Sequence, residues 1–290
     1  MERTKTSFKK ADAILTADWH LQETVPICRT DTFWETQWEK VDFISALQKK
    51  HQCPVLHSGD LFDFWKPSPM LLAQTIEHLP AEFHTVYGNH DLPQHNLELA
   101  YKSGIYVLQK AGCLTVLEGT HWGQEFLISF RYSQRKICVW HIGVYQGKEP
   151  WPDCPAPKGN SLIRKYDADL IVTGDFHKPF VEEHAGRLLV NPGSIFRMTA
   201  DQADFRPRVY LWYADTNTVV PVYLPIAADV ISREHLEIVQ DRENRIEAFI
   251  STLTEDWEAE MSFEDNIERF CTKNKVRRSV LDIVYKAIET

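Results

Sequence analysis

Short apolar runs alternate with longer segments of helical periodicity in the first part of the chain. Residues 31–50 and 70–79 carry apolar side chains at roughly helical spacing, which predicts two amphipathic helices. Apolar runs at residues 13–17, 54–57 and 83–87 flank these segments and predict strands. This alternation of strand, loop and helix indicates a layered α/β fold.

From residue 105 onward, short apolar segments separated by turn residues dominate the pattern and predict further strands. These strands are residues 105–108, 114–117, 126–130, 137–140, 170–173, 187–190, 209–212 and 219–223. The segment from Gly143 to Asn160 contains four prolines and three glycines, so we expect a long loop there.

The composition changes after Pro225. Residues 233–290 contain no glycine and no proline and are rich in charged residues. Within them, residues 242–253, 263–271 and 278–288 have patterns that predict helices. We therefore divide the chain into a first domain of residues 1–225 and a helical C-terminal region of residues 226–290.

Composition limits the class of protein. The chain has 290 residues, of which 43% are hydrophobic and 25% charged, as expected for a soluble globular protein. It contains no run of about 18 apolar residues, so we expect no membrane helix, and its polar, basic start does not resemble a secretory signal. The six cysteines are scattered without a Cys-x-x-Cys pair, so we expect reduced thiols in a cytoplasmic protein.

The net charge restricts how the chain would meet nucleic acid. A formal charge of -9 argues against a protein that coats nucleic acid through bulk electrostatics. It does not exclude a nuclease, because bound divalent metals make a carboxylate-rich site locally positive.

Residues of the types that ligate metals follow five of the predicted strands. They are Asp18 and His20, Asp60 after Gly59, Asn89 in the sequence Gly-Asn-His-Asp, His141, and Asp175 with His177. In open α/β sheets the loops at the carboxyl ends of strands converge on one crevice, so we expect these segments to meet. Carboxylate, imidazole and carboxamide ligands together suit Mn²⁺, Fe²⁺ or Zn²⁺, and the absence of cysteine argues against a structural zinc site.

Each of these motifs by itself also has an ordinary structural explanation. Asp18 and the segment from Gly88 to Asp91 have the composition of turns, and Asp60 could cap a helix. Their occurrence together and in order, each after a predicted strand, favours a metal site.

The ordered set D-x-H, G-D-x-x-D, G-N-H-D, H and G-x-x-H resembles the calcineurin-like metallophosphoesterase family over residues 1–225. The resemblance implies a four-layer α-β-β-α sandwich, in which water activated by two divalent metal ions attacks phosphorus. We expect Mn²⁺ first, with Mg²⁺, Fe²⁺ or Zn²⁺ as alternatives. The implied ligands are Asp18, His20 and His177 for one ion, Asn89, His141 and Asp175 for the other, and Asp60 as a bridge between them.

The resemblance also implies roles for residues beside the ligands. His90 would stabilise the transition state or protonate the leaving oxygen, and Asp91 would orient His90 by a hydrogen bond. Asn89 would contact the substrate as well as a metal. Arg197, which follows a Pro-Gly-Ser segment, would hold a substrate phosphate.

The sequence departs from the family pattern at Asp175, where the family usually has histidine. An additional carboxylate predicts a preference shifted toward Mn²⁺ or Mg²⁺ and away from softer ions. Alternatively, Asp175 binds poorly and the second metal is weak.

The substrate is open to more than one hypothesis. The Pro-Gly-Ser-Ile-x-Arg segment, the strand pair at residues 209–223 and the helical C-terminal region resemble SbcD-type DNA repair nucleases. Our first hypothesis is therefore a DNA exonuclease or endonuclease, with an SMC-like coiled-coil ATPase subunit as a partner and a homodimer as its assembly. The alternative is a phosphatase or phosphodiesterase acting on nucleotides or other small phosphoesters. A scaffold that has lost its metals is a third hypothesis, which the full ligand set argues against.

Overall fold

The computed structural model describes residues 9–117, 130–132, 134–255 and 262–288. The chain divides into two compact units, Met1–Ser232 and Arg233–Thr290.

The larger unit contains eleven strands and four α-helices among the residues described. The strands are β1 (Ala13–Thr16), β2 (Val55–His57), β3 (Phe83–Thr85), β4 (Thr115–Val116), β5 (Phe130–Tyr132), β6 (Arg135–Trp140), β7 (Leu170–Thr173), β8 (Phe180–His184), β9 (Arg187–Asn191), β10 (Arg208–Tyr213) and β11 (Thr218–Tyr223). The helices are α1 (Phe33–His51), α2 (Pro69–His78), α3 (Gly104–Lys110) and α4 (Gly159–Lys165).

The strands form two sheets. The first has the order β11-β10-β1-β2-β3-β4, and the second has the order β5-β6-β7-β9-β8. Strands β1 to β4 run parallel to one another, as do β6, β7 and β9. Parallel strands end at the same edge of a sheet, so the loops that follow β1, β2 and β3 lie side by side.

Side chains of β1 alternate between two hydrophobic clusters, which shows how the sheets are layered. Leu15 packs with Val139 and Val172 of the second sheet, whereas Ile14 packs with helix residues such as Ile44. Because successive side chains of a strand point to opposite faces, the two sheets face each other and helices α1, α2 and α3 cover the first.

Helix α4 packs in turn on the outer face of the second sheet. The four-layer α-β-β-α architecture expected from the sequence is therefore confirmed.

Several sequence-based expectations for single elements are wrong or incomplete. Residues 105–108 belong to helix α3 and not to a strand. Ile105 and Leu108 are buried three residues apart while Val107 between them is exposed, and Ser103 caps the first turn. A four-residue apolar run does not distinguish these two outcomes. Helix α4 and strand β8 were not predicted, and β8 is only partly buried, with two consecutive glutamates.

The expected strand at residues 126–130 lies mostly outside the described residues. The expected loop after Gly143 has no helix or strand before α4 begins at Gly159.

The smaller unit is helical, as expected. It contains α5 (Glu234–Glu255), α6 (Phe263–Lys273) and α7 (Arg278–Ile288). Ile267 and Phe270 of α6 pack with Leu281 and Val284 of α7. None of the helices among the described residues is both long and apolar enough to cross a membrane.

Candidate metal centre

Backbone hydrogen bonds carry the pairing of the first sheet beyond the ends of its strands and bring the first two motifs together. The amide of Asp18 donates to the carbonyl oxygen of Gly59 at 3.1 Å, and the amide of His20 donates to the carbonyl oxygen of Asp60 at 3.0 Å. The loops after β1 and β2 are therefore held side by side, with Asp18 and Asp60 in adjacent loops.

Four of the predicted ligands have left-handed backbone conformations. The φ angles are 50° for Asp18, 44° for His20, 57° for Asp60 and 77° for Asp175. Residues other than glycine adopt such angles rarely, because each costs about 1–3 kcal/mol and persists only where the surrounding structure enforces it. The concentration of such residues at one place is typical of functional sites.

Glycines make room for the side chains of the site. A Cβ atom at Gly59 would overlap the ring of His141, and one at Gly88 would overlap the carboxylate of Asp60. Gly59 also has a φ of 94°, which other residues rarely adopt. The absence of a side chain at these two glycines therefore allows His141 and Asp60 to pack closely against the backbone.

The first group of ligand atoms lies around His20. Its Nε2 is 3.1 Å from Nε2 of His177 and 3.6 Å from Oδ2 of Asp60. Ligand atoms of Asp18, His20 and His177 all lie within 4.8 Å of one another, which is close enough to share one cation.

The second group lies around His141. Its Nε2 is 2.9 Å from Oδ1 of Asn89, 3.3 Å from Oδ2 of Asp60 and 3.8 Å from Oδ1 of Asp175. The carboxylate of Asp60 therefore contacts both groups, as a bridging ligand would. The structure brings all seven predicted ligands into one connected cluster.

Contacts around His141 fix which of its nitrogens faces the cluster. Nδ1 lies 2.7 Å from the carbonyl oxygen of Ser58, which can only accept a hydrogen bond, so Nδ1 carries a proton. In the neutral ring this leaves the lone pair of Nε2 directed at Asp60 and Asn89. Such an outer contact orients a metal-binding histidine.

His90 has a similar arrangement at the edge of the site. Its Nδ1 lies 2.7 Å from the carbonyl oxygen of Asp63, and its backbone amide donates to Oδ1 of Asp60 at 2.9 Å. The ring therefore keeps Nε2 free to exchange a proton.

The expected hydrogen bond between His90 and the carboxylate of Asp91 is not observed, and that prediction is wrong. The buried carboxylate of Asp91 accepts four backbone N–H groups instead. The donors are Asp60 at 2.8 Å, Gly88 at 3.0 Å, Phe62 at 3.2 Å and Leu61 at 3.3 Å. Asp91 thus organises the loop that carries Asp60.

Arg197 is placed differently from the expectation that it holds a substrate phosphate. Its guanidinium is buried and donates to the carbonyl oxygens of Ala203 at 3.0 Å and Ala227 at 2.8 Å. The side chain is therefore engaged with backbone and joins two segments of the larger unit.

The Pro-Gly-Ser segment that precedes Arg197 lies beside the site. The amide of Ser194 donates to the carbonyl oxygen of His177 at 3.3 Å. The side chain of Asn191 donates to the carbonyl oxygen of Phe176 at 2.8 Å, a supporting role that the sequence did not reveal. Its position at the end of a buried strand, immediately before this segment, was the available signal.

Two other residues near the motifs belong to the core. His57 is fully buried and its Nδ1 is 2.8 Å from Oγ1 of Thr85, as expected for a packing histidine. Trp19 is fully buried and donates to Oγ1 of Thr16, so it cannot stack on a substrate.

The buried charges of the cluster shift one another's protonation. Burial raises the pKa of Asp18 to about 6. Burial favours the neutral form of His141, but the nearby carboxylates of Asp60, Asp18 and Asp175 outweigh it and raise the pKa of His141 to about 10. Burial and the charge of His20 lower the pKa of His177 to about 4.

These shifts describe a site in which buried carboxylates require compensating positive charge. Oδ2 of Asp18 is buried and has no hydrogen-bond partner among the described residues. A donor set of carboxylates, imidazoles and one carboxamide, with an unpartnered buried carboxylate oxygen, fits divalent cations.

A cavity of about 580 Å³ opens beside two of the candidate ligands, Asp175 and His177. Its wall includes the aromatic rings of Trp151 and Phe176 and the side chain of Lys178. The cavity therefore places a mixed aromatic and basic surface next to the cluster.

Comparison with known proteins places the chain among similar sequences and folds. The model of the calcineurin-like phosphoesterase superfamily domain matches residues 14–210. Among solved structures, a novel archaeal phosphodiesterase is 14% identical with a TM-score of 0.44, covering 73% of this chain and 99% of its own. Vps29 from Cryptosporidium parvum is 18% identical with a TM-score of 0.38, covering 74% and 98%. A single mutant of Vps29 from Entamoeba histolytica is 16% identical with a TM-score of 0.36, covering 73% and 99%.

Proposed function

Because the chain belongs to the calcineurin-like phosphoesterase superfamily, we propose that it hydrolyses phosphodiesters with the help of two divalent cations. The observation that carries this proposal is the position of Asp60. Its carboxylate lies within 3.6 Å of His20 and within 3.3 Å of His141, so it contacts both groups of candidate ligands. A shared carboxylate between two such groups is the arrangement that a two-cation site requires.

We assign the seven residues to the two cations as the sequence resemblance implies. Asp18, His20 and His177 would hold one cation, Asn89, His141 and Asp175 would hold the other, and Asp60 would be shared. When bound, two divalent cations would supply the positive charge that phosphoester hydrolysis needs and would make a water molecule nucleophilic at neutral pH. We propose Mn²⁺ as the working ion, because Asp175 adds a hard oxygen ligand where the family usually has histidine.

His90 is the residue best placed to move a proton. Since the carbonyl oxygen of Asp63 holds Nδ1, a protonated ring would present Nε2–H to the leaving oxygen of the ester. The backbone amide of His90 is tied to Asp60, so the acid is positioned relative to the shared ligand.

Our first substrate proposal is DNA. It is supported by the sequence resemblance to repair nucleases and by the three-helix C-terminal unit, which would bind an SMC-like coiled-coil ATPase. The same proposal includes a homodimer that binds two DNA ends.

Nucleotides or other small phosphoesters are the second proposal. The 580 Å³ cavity beside Asp175 and His177 favours it, because that volume lies in the range of sites that bind small molecules. The net charge of -9 also favours a small substrate over a long polyanion.

One assay series tests the proposal and separates these substrates. The protein is incubated with Mn²⁺ and end-labelled single- or double-stranded DNA, bis-p-nitrophenyl phosphate, p-nitrophenyl phosphate or cyclic nucleotides. Asp60→Asn should lose all hydrolysis, while Asp42→Asn, which changes an exposed carboxylate away from the candidate ligands, should retain it. Activity that persists in Asp60→Asn would indicate a contaminating enzyme or a different site. DNA cleavage supports the nuclease proposal, and cleavage of small esters alone supports the second.

A further inference from the structure

The cavity beside the candidate ligands is bounded by a loop whose base is fixed. The amide of Tyr145 donates to the carbonyl oxygen of Pro157 at 3.3 Å, and the amide of Gly159 donates to the carbonyl oxygen of Tyr145 at 3.0 Å. Gln146 donates to the carbonyl oxygen of Val181, which ties the loop to strand β8. These bonds close residues 145–159 into a single loop.

Trp151 is presented from this loop between two prolines. Pro150 and Pro152 fix their own φ angles, and Pro152 also restricts the backbone of Trp151 to extended conformations. The indole is 49% exposed and its ring centroid lies 5.6 Å from that of Phe176, with the planes tilted by 59°. A large exposed aromatic side chain on a restrained backbone is a ready surface for stacking.

Phe176 connects this aromatic surface to the candidate metal centre. It lies between Asp175 and His177 in sequence, and all three line the cavity. Gly143 leaves the space that Asp175 and Phe176 occupy, because a Cβ atom there would come within 2.6 Å of the carboxylate and 2.7 Å of the ring. A ligand whose phosphate met cations held by Asp175 and His177 would therefore place its organic part against Phe176 and Trp151.

The charge, volume and aromatic rings of the cavity limit the class of ligand that it could bind. Lys148 and Lys178 add positive charge to the wall, which suits a phosphorylated ligand, and Asp201 adds one carboxylate. A volume of about 580 Å³ accommodates one nucleotide and is too small for a duplex. Aromatic faces beside lysines are the surface on which single nucleobases stack without strong sequence preference.

We propose that this cavity binds the nucleoside part of the phosphoester, with the nucleobase stacked on Trp151 and in contact with Phe176. The inference rests on the proposed function for the placement of the phosphate. The nucleoside would belong either to a free nucleotide or to the terminal nucleotide of a single strand, since both present the same chemistry to the cavity.

Equilibrium binding tests this inference separately from hydrolysis. Binding of adenosine 5′-monophosphate and of ribose 5-phosphate to the full chain is measured by calorimetry in EDTA and again with Mn²⁺. Loss of the base should weaken binding on the order of tenfold. Trp151→Ala should abolish that difference, Trp151→Phe should keep most of it, and Tyr101→Ala, which changes another exposed aromatic residue, should leave it unchanged.

Several results would overturn the inference. One is equal binding of the two ligands to the unmodified protein, and another is an undiminished preference for the nucleotide in Trp151→Ala. Either result combined with intact hydrolysis of bis-p-nitrophenyl phosphate would refute the nucleoside site and leave the proposed function standing. Conversely, a preference that depends on Trp151 in a protein without hydrolytic activity would support the cavity and refute the proposed function.

A second pair of ligands identifies the source of the nucleoside. A short single-stranded oligonucleotide is compared with the same strand carrying an abasic terminal residue. If removal of the terminal base weakens binding as much as Trp151→Ala does, the cavity receives a strand end. If it has no effect while the mononucleotide preference persists, the cavity receives a free nucleotide.

Discussion

Asp175 occupies the position at which the sequence resemblance led us to expect a histidine. Its Oδ1 lies 3.8 Å from Nε2 of His141, and its amide donates to Oδ1 of Asp18 at 2.9 Å, so its position is tied to two other ligands. Burial raises the pKa of this carboxyl group, and a bound cation would counteract that effect by stabilising the ionised form.

We expect Asp175→His to shift the metal preference toward Zn²⁺. Imidazole is a softer ligand than carboxylate, so the ratio of Mn²⁺ to Zn²⁺ affinity should fall on the order of tenfold. Calorimetric titration of both ions into the wild-type and variant proteins measures this ratio and the number of ions bound. An unchanged ratio would show that Asp175 does not select the metal, and one ion per wild-type chain would show that it holds the second ion poorly.

Asp91 carries a second prediction at the residue scale. The substitution Asp91→Asn would leave one acceptor oxygen and introduce an NH₂ group in a pocket of four N–H donors, so at least one buried donor would lose its partner. We expect this variant to lower the free energy of unfolding by about 2–4 kcal/mol and to weaken metal binding, because the carboxylate holds the loop of Asp60.

Urea denaturation measures the effect of Asp91→Asn. Asp167→Asn is the matched control, since its carboxylate is 93% exposed and its ion pair with Lys136 contributes little. Equal stability of the two variants would contradict the role assigned to Asp91.

At the scale of secondary-structure elements, the sequence predicted the strands that precede the candidate ligands better than it predicted the segments between those strands. Runs such as residues 13–16 and 170–173 are buried along their whole length, so their apolar character is continuous and polar ligands mark where they end. Strand β8 is half-buried and contains Glu182 and Glu183, so no such contrast exists. The positions of the candidate ligands were predictable for the same reason, because each follows a largely buried strand.

Other features of the site depend on contacts that a linear pattern does not encode. Nothing in the sequence Gly-Asn-His-Asp indicates that Asp91 binds the backbone of a different loop, 29 or more residues earlier. Similarly, the side chain of Arg197 bonds to the carbonyl oxygens of residues 203 and 227, which the fold alone brings together.

Helix α1 contains a buried lysine that makes stability depend on pH. Nζ of Lys40 donates to the carbonyl oxygen of Ile195 at 2.9 Å, and the residue is 2% exposed. Burial, together with the charges of Arg29 and Arg197, lowers the pKa of Lys40 to about 7. The unfolded chain should have the ordinary lysine pKa of about 10.4.

Between these two values the unfolded chain binds a proton that the folded chain has released, so stability should rise with pH. The contribution is full above about pH 10.4 and is lost as the pH falls toward 7. From pH 7 to 9.5 we expect Lys40 to add about 3 kcal/mol to the free energy of unfolding.

Lys40→Met should remove this increase in the free energy of unfolding. Denaturation of the wild-type protein and of Lys40→Met at a series of pH values would measure it. The comparison is made between the slopes, because loss of the bond to Ile195 shifts the whole curve of the variant. Lys110→Met provides the surface control and should keep the wild-type slope. Parallel curves for wild type and Lys40→Met would show that Lys40 stays charged in the folded protein.

At the scale of the whole molecule, all predicted metal ligands belong to the larger unit. The three hydrophobic clusters that support them contain no buried residue beyond Leu224. The smaller unit has a separate apolar cluster around Ile267 and Phe270. Since each unit has its own core, the two should fold without each other.

We therefore expect a chain that ends at Ser232 to fold, bind two cations and hydrolyse bis-p-nitrophenyl phosphate with the kcat/KM of the full chain. Ligand binding stabilises the folded state by mass action, by about 2.7 kcal/mol at a concentration one hundred times Kd. For a unit of this size, Mn²⁺ at that concentration should raise Tm by roughly 5–10 °C for each cation bound, equally in the full and shortened chains.

Calorimetric melting with Mn²⁺ and with EDTA measures this shift, and Asp60→Asn in both chains provides the control that should abolish it. If the shortened chain melts cooperatively but shows no shift with Mn²⁺, the smaller unit contributes to metal binding. The larger unit would then not bind the cations by itself, contrary to our expectation. If the shift is equal and DNA cleavage is lost only in the shortened chain, the helices serve the nucleic acid or a partner and not the chemistry. Because the candidate chemistry and the helical unit are separable in this way, a deletion distinguishes them more directly than any point variant.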